Sequence, residues 1–247
     1  MHMHLARVVS EAVHDQGFLR QARATLARSG RIHLPGFLDE SAARATHDAM
    51  QAADWRLAVN GEAGSYDLSA ANVAALNPGQ QQKLVGAIHA KAHAGFQFMF
   101  DSFRVSDLCE TGALTDGAFA DLFAMLNSER YLALMREITG DPRIVYLDAQ
   151  ATRYRPGHFL TTHDDDVAGK NRLFAYVINL TPAWRVDWGG LLMFVDEDGH
   201  VAEAYTPRWN ALNIMRVPQP HAVSMVAPFA AGARYSITGW MRSQRPA

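Results

Sequence analysis

Apolar and polar positions change rhythm near Pro142. Before it, apolar residues recur at helical spacing; after it, short β-rich runs alternate with turn residues. Residues 18–27 read as a short helix. I-H-L-P-G-F-L (32–38) reads as a strand running into a turn at Pro35-Gly36. Asp39 or Ser41 supplies the cap of a helix expected over 41–53. The segment 56–79 holds Gly61, Gly64, Asn77, Pro78 and Gly79 and predicts loops or a short hairpin. Leu84, Ile88, Phe96 and Phe100 predict a helix over 80–103, and 116–139 reads as another, ended by Gly140-Asp141-Pro142.

Beyond Pro142 the runs R-I-V-Y-L, A-T-R-Y, R-L-F-A-Y-V-I-N-L, L-L-M-F-V, A-L-N-I-M, H-A-V-S-M-V and Y-S-I-T-G-W predict strands. Turn residues separate them at Arg155-Pro156-Gly157, Thr181-Pro182, Gly189-Gly190, 196–199 and Pro218-Gln219-Pro220. Such spacing predicts a sandwich or jelly roll. The expected organisation is one integrated domain over 1–247, with a mainly helical support region (1–142) and a β core (143–242).

Composition narrows the class. The chain has 247 residues, 49% of them hydrophobic, which is enough for a sizeable core. A formal net charge of -2 gives no bulk attraction to nucleic acid or to a membrane surface. Cys109 is the single cysteine, so no intrachain disulfide forms. The opening M-H-M-H-L-A-R lacks the charged and apolar regions of a secretory leader, and no run approaches a membrane span. A cytoplasmic location is the expectation.

T-T-H-D-D-D carries the candidate chemistry. On an extended segment, side chains two apart share a face, so His163 and Asp165 meet one ion while Asp164 and Asp166 point away. His221, on a distant strand, completes a set of two imidazoles and one carboxylate, which suits Fe(II) and leaves positions open. Arg234 sits on R-Y-S-I-T-G-W with Ser236, Thr238 and Trp240 on its face. A buried arginine needs a partner, and its planar fork matches the carboxylate of a dicarboxylic co-substrate, with the Ser236 hydroxyl as a second donor. Taken singly, each residue has a plainer reading: a solvated acidic turn, a half-buried histidine, a surface arginine at a strand end.

The ordered set Y-R-P-G-H-F-L-T-T-H-D-D-D, R-L-F-A-Y-V-I-N-L, G-G-L-L-M-F, H-A-V and R-Y-S-I-T-G-W resembles the Fe(II)/2-oxoglutarate-dependent dioxygenases, over about 145–242. Within them it looks most like the prolyl 4-hydroxylase-type branch, and I-H-L-P-G-F-L-D-E-S resembles that family's first strand and helix. The resemblance implies an α+β chain with a double-stranded β-helix (jelly-roll, cupin-like) core and supporting N-terminal helices. It implies His163, Asp165 and His221 as iron ligands and Arg234 as partner of the distal carboxylate of 2-oxoglutarate. It adds Tyr154 and Tyr176 as residues of the co-substrate pocket; a core aromatic is the plainer reading of Tyr154. Trp240 reads as core packing. The implied reaction consumes O2 and 2-oxoglutarate, releases succinate and CO2, and hydroxylates a C–H bond of a prolyl residue in a peptide or protein. Related halogenases replace the carboxylate ligand, so Asp165 favours hydroxylation.

A free amino acid or other small metabolite is the alternative substrate. A cupin-like metal-binding protein without oxygenase activity is the alternative class, and it does not need Arg234. Other patterns carry less. His89 and His93 have metal-binding helical spacing but no third ligand, 196–199 lacks the ligand spacing of a calcium loop, Cys109 has no activating partner, and 61–64 is too sparse for a phosphate loop. His2 and His4 belong to a flexible start.

Overall fold

The computed structural model describes residues 9–62 and 64–246; His2, His4 and the opening segment lie outside them. After a 3-10 turn at Glu11–His14 come helix α1 (Gln16–Ser29), strand β1 (Arg31–Pro35) and helix α2 (Glu40–Gln51). Asp15 and Asp39 cap the two helices by accepting from Phe18 N and Ser41 N, and Gly30 ends α1 at φ 71°. Strands β2 (Arg56–Gly61) and β3 (Gly64–Ser69) form a hairpin, followed by the short helix α3 (Ala70–Ala74). Helix α4 (Pro78–Ala94) opens with a reciprocal Asn77–Gln80 capping box.

The helix expected over 80–103 is only partly one. It stops at Gly95, and strand β4 (Phe98–Phe103) replaces its last turns. Phe96, Phe98 and Phe100 alternate with Gln97 and Met99, a period-2 signal that the helical spacing of Phe96 and Phe100 masked. The stretch 116–139 is two helices, α6 (Gly117–Leu126) and α7 (Glu129–Thr139), preceded by α5 (Val105–Glu110). Ser128 caps α7 through Tyr131 N, which starts a new helix where a single one was expected.

The β region contributes β5 (Tyr146–Leu147), β6 (Gln150–Tyr154), β7 (Phe159–His163), β8 (Arg172–Asn179), β9 (Leu192–Val195), β10 (Val201–Tyr205), β11 (Ala211–Arg216), β12 (His221–Val223) and β13 (Arg234–Arg242). From β6 to β13 the chain alternates between two antiparallel layers, except that β9 and β10 are neighbours in one of them. One has the order β11-β8-β13-β6, the other β7-β12-β9-β10. This alternation is the double-stranded β-helix, or jelly roll. Strand β4 pairs with both β6 and β7 and so stitches the layers along one edge, while β1 extends the opposite edge beside β11.

The two faces of β8 explain the layering. Phe174, Tyr176 and Ile178 point to a core shared with Leu26, Met50, Leu122, Met135 and Ile138 of the helices. Ala175 and Val177 point the other way, into a smaller core between the layers with Leu192, Phe194, Met215 and Val223. A strand buried on both faces reads as a continuous apolar run, as R-L-F-A-Y-V-I-N-L does. Each large apolar side chain buried here contributes roughly 1.5–3 kcal/mol. Helix α4 covers a third cluster, with Ile88 against Leu57, Val59, Met99 and Phe159. Among the described residues no helix is long and apolar enough to cross a membrane.

Candidate metal centre and active site

His163 ends β7 and His221 begins β12, and antiparallel register sets them directly opposite each other. Their ring centroids lie 4.2 Å apart. Each Nδ1 faces a backbone carbonyl two residues earlier, Thr161 O at 3.1 Å and Gln219 O at 2.8 Å. A carbonyl only accepts, so Nδ1 carries the proton and Nε2 presents its lone pair. Both Nε2 atoms turn toward Asp165, at 3.4 Å from Oδ1 for His163 and 3.4 Å from Oδ2 for His221.

Asp165 reaches this position by a route other than strand alternation. The strand stops at His163, and Asp165 adopts φ 64°, a left-handed conformation that Asp tolerates better than most residues. Arg172 holds it there, donating from Nη1 to Asp165 O at 3.0 Å. Asp165 is buried, whereas Asp164 and Asp166 are exposed. Three acceptor atoms within 4.8 Å of one another need positive charge between them, from protons on Nε2 or from a metal cation. Burial works to raise the Asp165 carboxyl, but the approach of His163, His221 and Arg172 outweighs it and holds the group below its ordinary value. Burial, reinforced by His163, lowers His221. An ionised carboxylate and a neutral imidazole are the forms that ligate a metal. The donor set therefore fits a divalent ion of the Fe(II) type.

Arg234, at the start of β13, is buried deep between the layers and is 2% exposed. Its Nη1 donates to Gly190 O at 3.0 Å, its guanidinium lies 5.2 Å from the Tyr154 ring centroid, and its Nε has no hydrogen-bond partner among the described residues. Among the described residues no carboxylate forms an ion pair with it. Burial lowers its affinity for its proton, so a negatively charged partner would be strongly favoured here. Gly189 and Gly190, at φ 67° and 63°, make the turn that delivers this carbonyl. Trp184 braces the turn, donating from Nε1 to Gly189 O at 2.9 Å.

A cavity of about 740 Å³ connects the histidines with Arg234. Leu192, Met215 and Val223 form apolar wall, and Tyr154 stands directly opposite Arg234 in the β6–β13 register. Burial pushes the Tyr154 hydroxyl well above its usual range, so it stays protonated. Ser236 shares the inward face of β13 but is fully buried, with Oγ 3.4 Å from Asn179 Oδ1. Tyr176 goes elsewhere. It is on the helix-side face of β8, and its hydroxyl donates to Asp148 O at 2.6 Å, at a stretch of the cavity wall away from the Arg234–Tyr154 pair. The period-2 rule, applied to Ala175 and Val177, places it so.

Sequence reasoning passed over three parts of the site. Arg172 both holds Asp165 and lies 3.5 Å above the Trp240 ring, and both line the cavity, so Trp240 is wall as well as packing. Phe96, Phe98 and Phe100 line another side. His89 and His93 gain no third ligand: among the described residues only His163, Asp165 and His221 form a metal-capable group, and His89 packs on Phe159.

Fold and site together define the class, a double-stranded β-helix that gathers two histidines and an aspartate at one end and an arginine at the other. Residues 149–242 match the family model described as the 2OG-Fe(II) oxygenase superfamily. Over this segment, which is less than half of the chain, the sequence is similar to that superfamily. It is 30% identical over 119 residues to prolyl 3-hydroxylase OGFOD1 of Mus musculus, covering 45% of this chain and 21% of that protein. The Xenopus laevis protein of the same name is 32% identical over 101 residues, 38% of this chain and 19% of that one. The chain thus spans about a fifth of the length of the curated relatives it matches. Among solved structures, a Pseudomonas putida prolyl-4-hydroxylase superposes with a TM-score of 0.59 at 18% identity, covering 92% of this chain and 100% of that one. A prolyl hydroxylase from Trichoplax adhaerens, in complex with a hypoxia inducible factor peptide fragment, gives 0.58 at 16% identity, covering 95% and 96%. These likenesses establish the fold as the one the sequence resemblance implied.

Proposed function

We propose that the protein is an Fe(II)- and 2-oxoglutarate-dependent dioxygenase that hydroxylates a prolyl residue of a peptide or protein. One observation carries this reading. A cavity has a three-ligand metal centre at one end and, at the other, a buried arginine without an ion-pair partner among the described residues. His163, Asp165 and His221 would hold Fe(II), leaving positions for the 2-oxo acid and O2. Arg234 would take the distal carboxylate, with Tyr154 beside it and Ser236 behind on the same strand face. We assign Tyr176 a packing role instead. When bound, the metal with O2 and 2-oxoglutarate supplies the oxidising chemistry that turns C–H into C–OH and releases succinate and CO2.

The chain's own residues bind and orient. The Nδ1–carbonyl hydrogen bonds aim both imidazoles, Arg172 fixes the Asp165 backbone, and the Gly190 carbonyl aims Arg234. Leu192, Met215 and Val223 exclude water from the co-substrate end. Asp165 keeps a carboxylate among the ligands, which favours hydroxylation over halogenation. A cupin-like metal protein without oxygenase activity would have no use for Arg234 at the closed end. The prolyl assignment over a free amino acid draws on the named activities of the relatives. The helical region and the β core act as one domain in this reading, because α1, α2, α6 and α7 share one core with β8, β11 and β13. A cytoplasmic location accompanies the proposal, on the single cysteine.

The test is anaerobic titration with Fe(II) and then 2-oxoglutarate, followed by O2. Charge-transfer absorption on adding 2-oxoglutarate, then succinate formation, is expected; no 2-oxoglutarate binding to the metal-loaded protein would sink the reading. Mass spectrometry for a gain of one oxygen, comparing the parent with Asp165→Ala, identifies the substrate.

A further inference from the structure

An apolar ring stands exposed beside the metal centre. Phe96 is 46% exposed, yet its ring centroid is 5.3 Å from that of His163. It is the first rung of an aromatic series. Phe96 meets Phe98 at 5.7 Å, Phe98 meets Phe100 at 5.3 Å, and Phe100 stacks on Tyr154 at 5.1 Å. The three phenylalanines alternate along one extended segment, so their rings share a face, and all three line the cavity. The series runs from the mouth beside His163 to the tyrosine opposite Arg234.

The backbone under these rings is fixed. Gln97, between the first two, is fully buried. Its side chain accepts from Asn60 N and Phe98 N and donates to Asn60 O. Its backbone N donates to Thr161 Oγ1, and its carbonyl accepts from Thr161 N. Four of these bonds reach Asn60 of β2 and Thr161 of β7 and clamp the segment between the two strands, two residues from His163.

We infer that Phe96 and Phe98 form the specificity wall for the prime substrate, receiving the pyrrolidine ring of the target proline within an extended polypeptide. This rests on the hydroxylase reading above. A prolyl residue lacks an N–H, so it suits a wall without acceptors. Its partly positive C–H groups match the negative faces of aromatic rings, and extended proline-containing segments dock in aromatic-lined grooves. A target held on Phe96 lies beside His163, where the C–H bond must be delivered. Phe100 and Tyr154, further along, belong to the co-substrate end, so the wall changes its occupant partway along.

The experiment uses two pools of short peptides, one with a central proline and one with alanine in its place. Peptide-stimulated succinate formation is measured for the whole protein loaded with Fe(II). The proline pool is expected to stimulate turnover and the alanine pool to do so far less. Phe96→Ala should raise KM for the proline pool about 10-fold, the loss of one anchoring aromatic contact. Its 2-oxoglutarate affinity, from anaerobic titration, should stay within about 2-fold of the parent, a difference too small to reflect a lost contact. Phe96→Tyr should restore the parent KM. Equal stimulation by both pools, or an unchanged KM in Phe96→Ala, overturns the wall while leaving the oxygenase reading intact. Failure of the parent to bind 2-oxoglutarate at all overturns the oxygenase reading, and the wall with it.

Discussion

Arg234 Nη1 donates to the carbonyl oxygen of Gly190 at 3.0 Å, joining two residues 44 positions apart in the chain. The proposed co-substrate arginine is thus aimed by a backbone group that only a left-handed turn can deliver. At Gly190, φ is 63°, and an added Cβ would sit 3.2 Å from Val226 Cγ2 and 3.3 Å from the Trp184 ring. Gly190→Ala should therefore lower stability by about 1–2 kcal/mol and weaken 2-oxoglutarate binding, while metal affinity holds. Chemical denaturation and anaerobic titration of the same variant check both halves.

Arg234 itself separates binding from stability. Its charge is buried without an acidic partner among the described residues, a standing cost in the co-substrate-free protein. Arg234→Met should melt no lower than the parent in the absence of 2-oxoglutarate. It should lose about 10- to 100-fold in 2-oxoglutarate affinity, as expected for a charge-assisted pair, with metal binding nearly intact. Equal loss of metal and co-substrate would make the arginine structural.

Asp165 is held at φ 64° to bring its carboxylate between two imidazoles. Asp165→Gly suits that backbone better but removes a ligand, so the variant should fold. The parent should gain about 2.7 kcal/mol of stability when Fe(II) is present at 100 times its Kd, and the variant almost none. Thermal melts with and without metal under anaerobic conditions measure the difference.

His158 should set part of the acid sensitivity of the fold. It is buried, with one long contact from Nδ1 to Arg153 O at 3.4 Å. Burial pushes its pKa down to about 4, with Arg155 and Arg153 adding to the shift and Asp101 opposing it. The folded protein thus prefers the neutral ring, while the unfolded chain takes up a proton near 6.5. His158 costs nothing above pH 6.5. Stability falls as pH drops from 6.5 toward 4, by roughly 3 kcal/mol in all, and the loss levels off below that. Asp101, held low by Arg155, His158 and Arg153 against the raising effect of burial, acts at lower pH: its contribution is present above its unfolded value of 3.8 and is lost below it. Urea midpoints at pH 7 and 4.5 should differ less for His158→Leu than for the parent.

The strands that carry the site were legible because alternation and turn residues survive in a chain whose core strands are buried. R-L-F-A-Y-V-I-N-L and R-Y-S-I-T-G-W announced β8 and β13, and the inward face of Arg234 followed from period 2. Strand β4 was not legible. Phe96 and Phe100 lie four apart, which satisfies a helix, and only pairing with β6 and β7 selects the extended form. Tyr176 shows the same limit. A tyrosine on a strand buried on both faces has two apolar destinations, and the helices, not its neighbours in sequence, take it.

The order of residue types along the chain determined which groups were available: His163, Asp165 and His221 for a cation, Arg234 for an anion, and glycines at 189 and 190 between them. Tertiary structure alone decided that they meet. The β7–β12 register sets two histidines face to face, a left-handed turn swings Asp165 between them, and the Gly190 carbonyl reaches Arg234 across the layers. It also brought Phe96, just ahead of β4, alongside His163. Side-chain identity travels with the sequence, but proximity between distant strands depends on register, turn handedness and which face is already filled. Those are settled only when the layers close on one another.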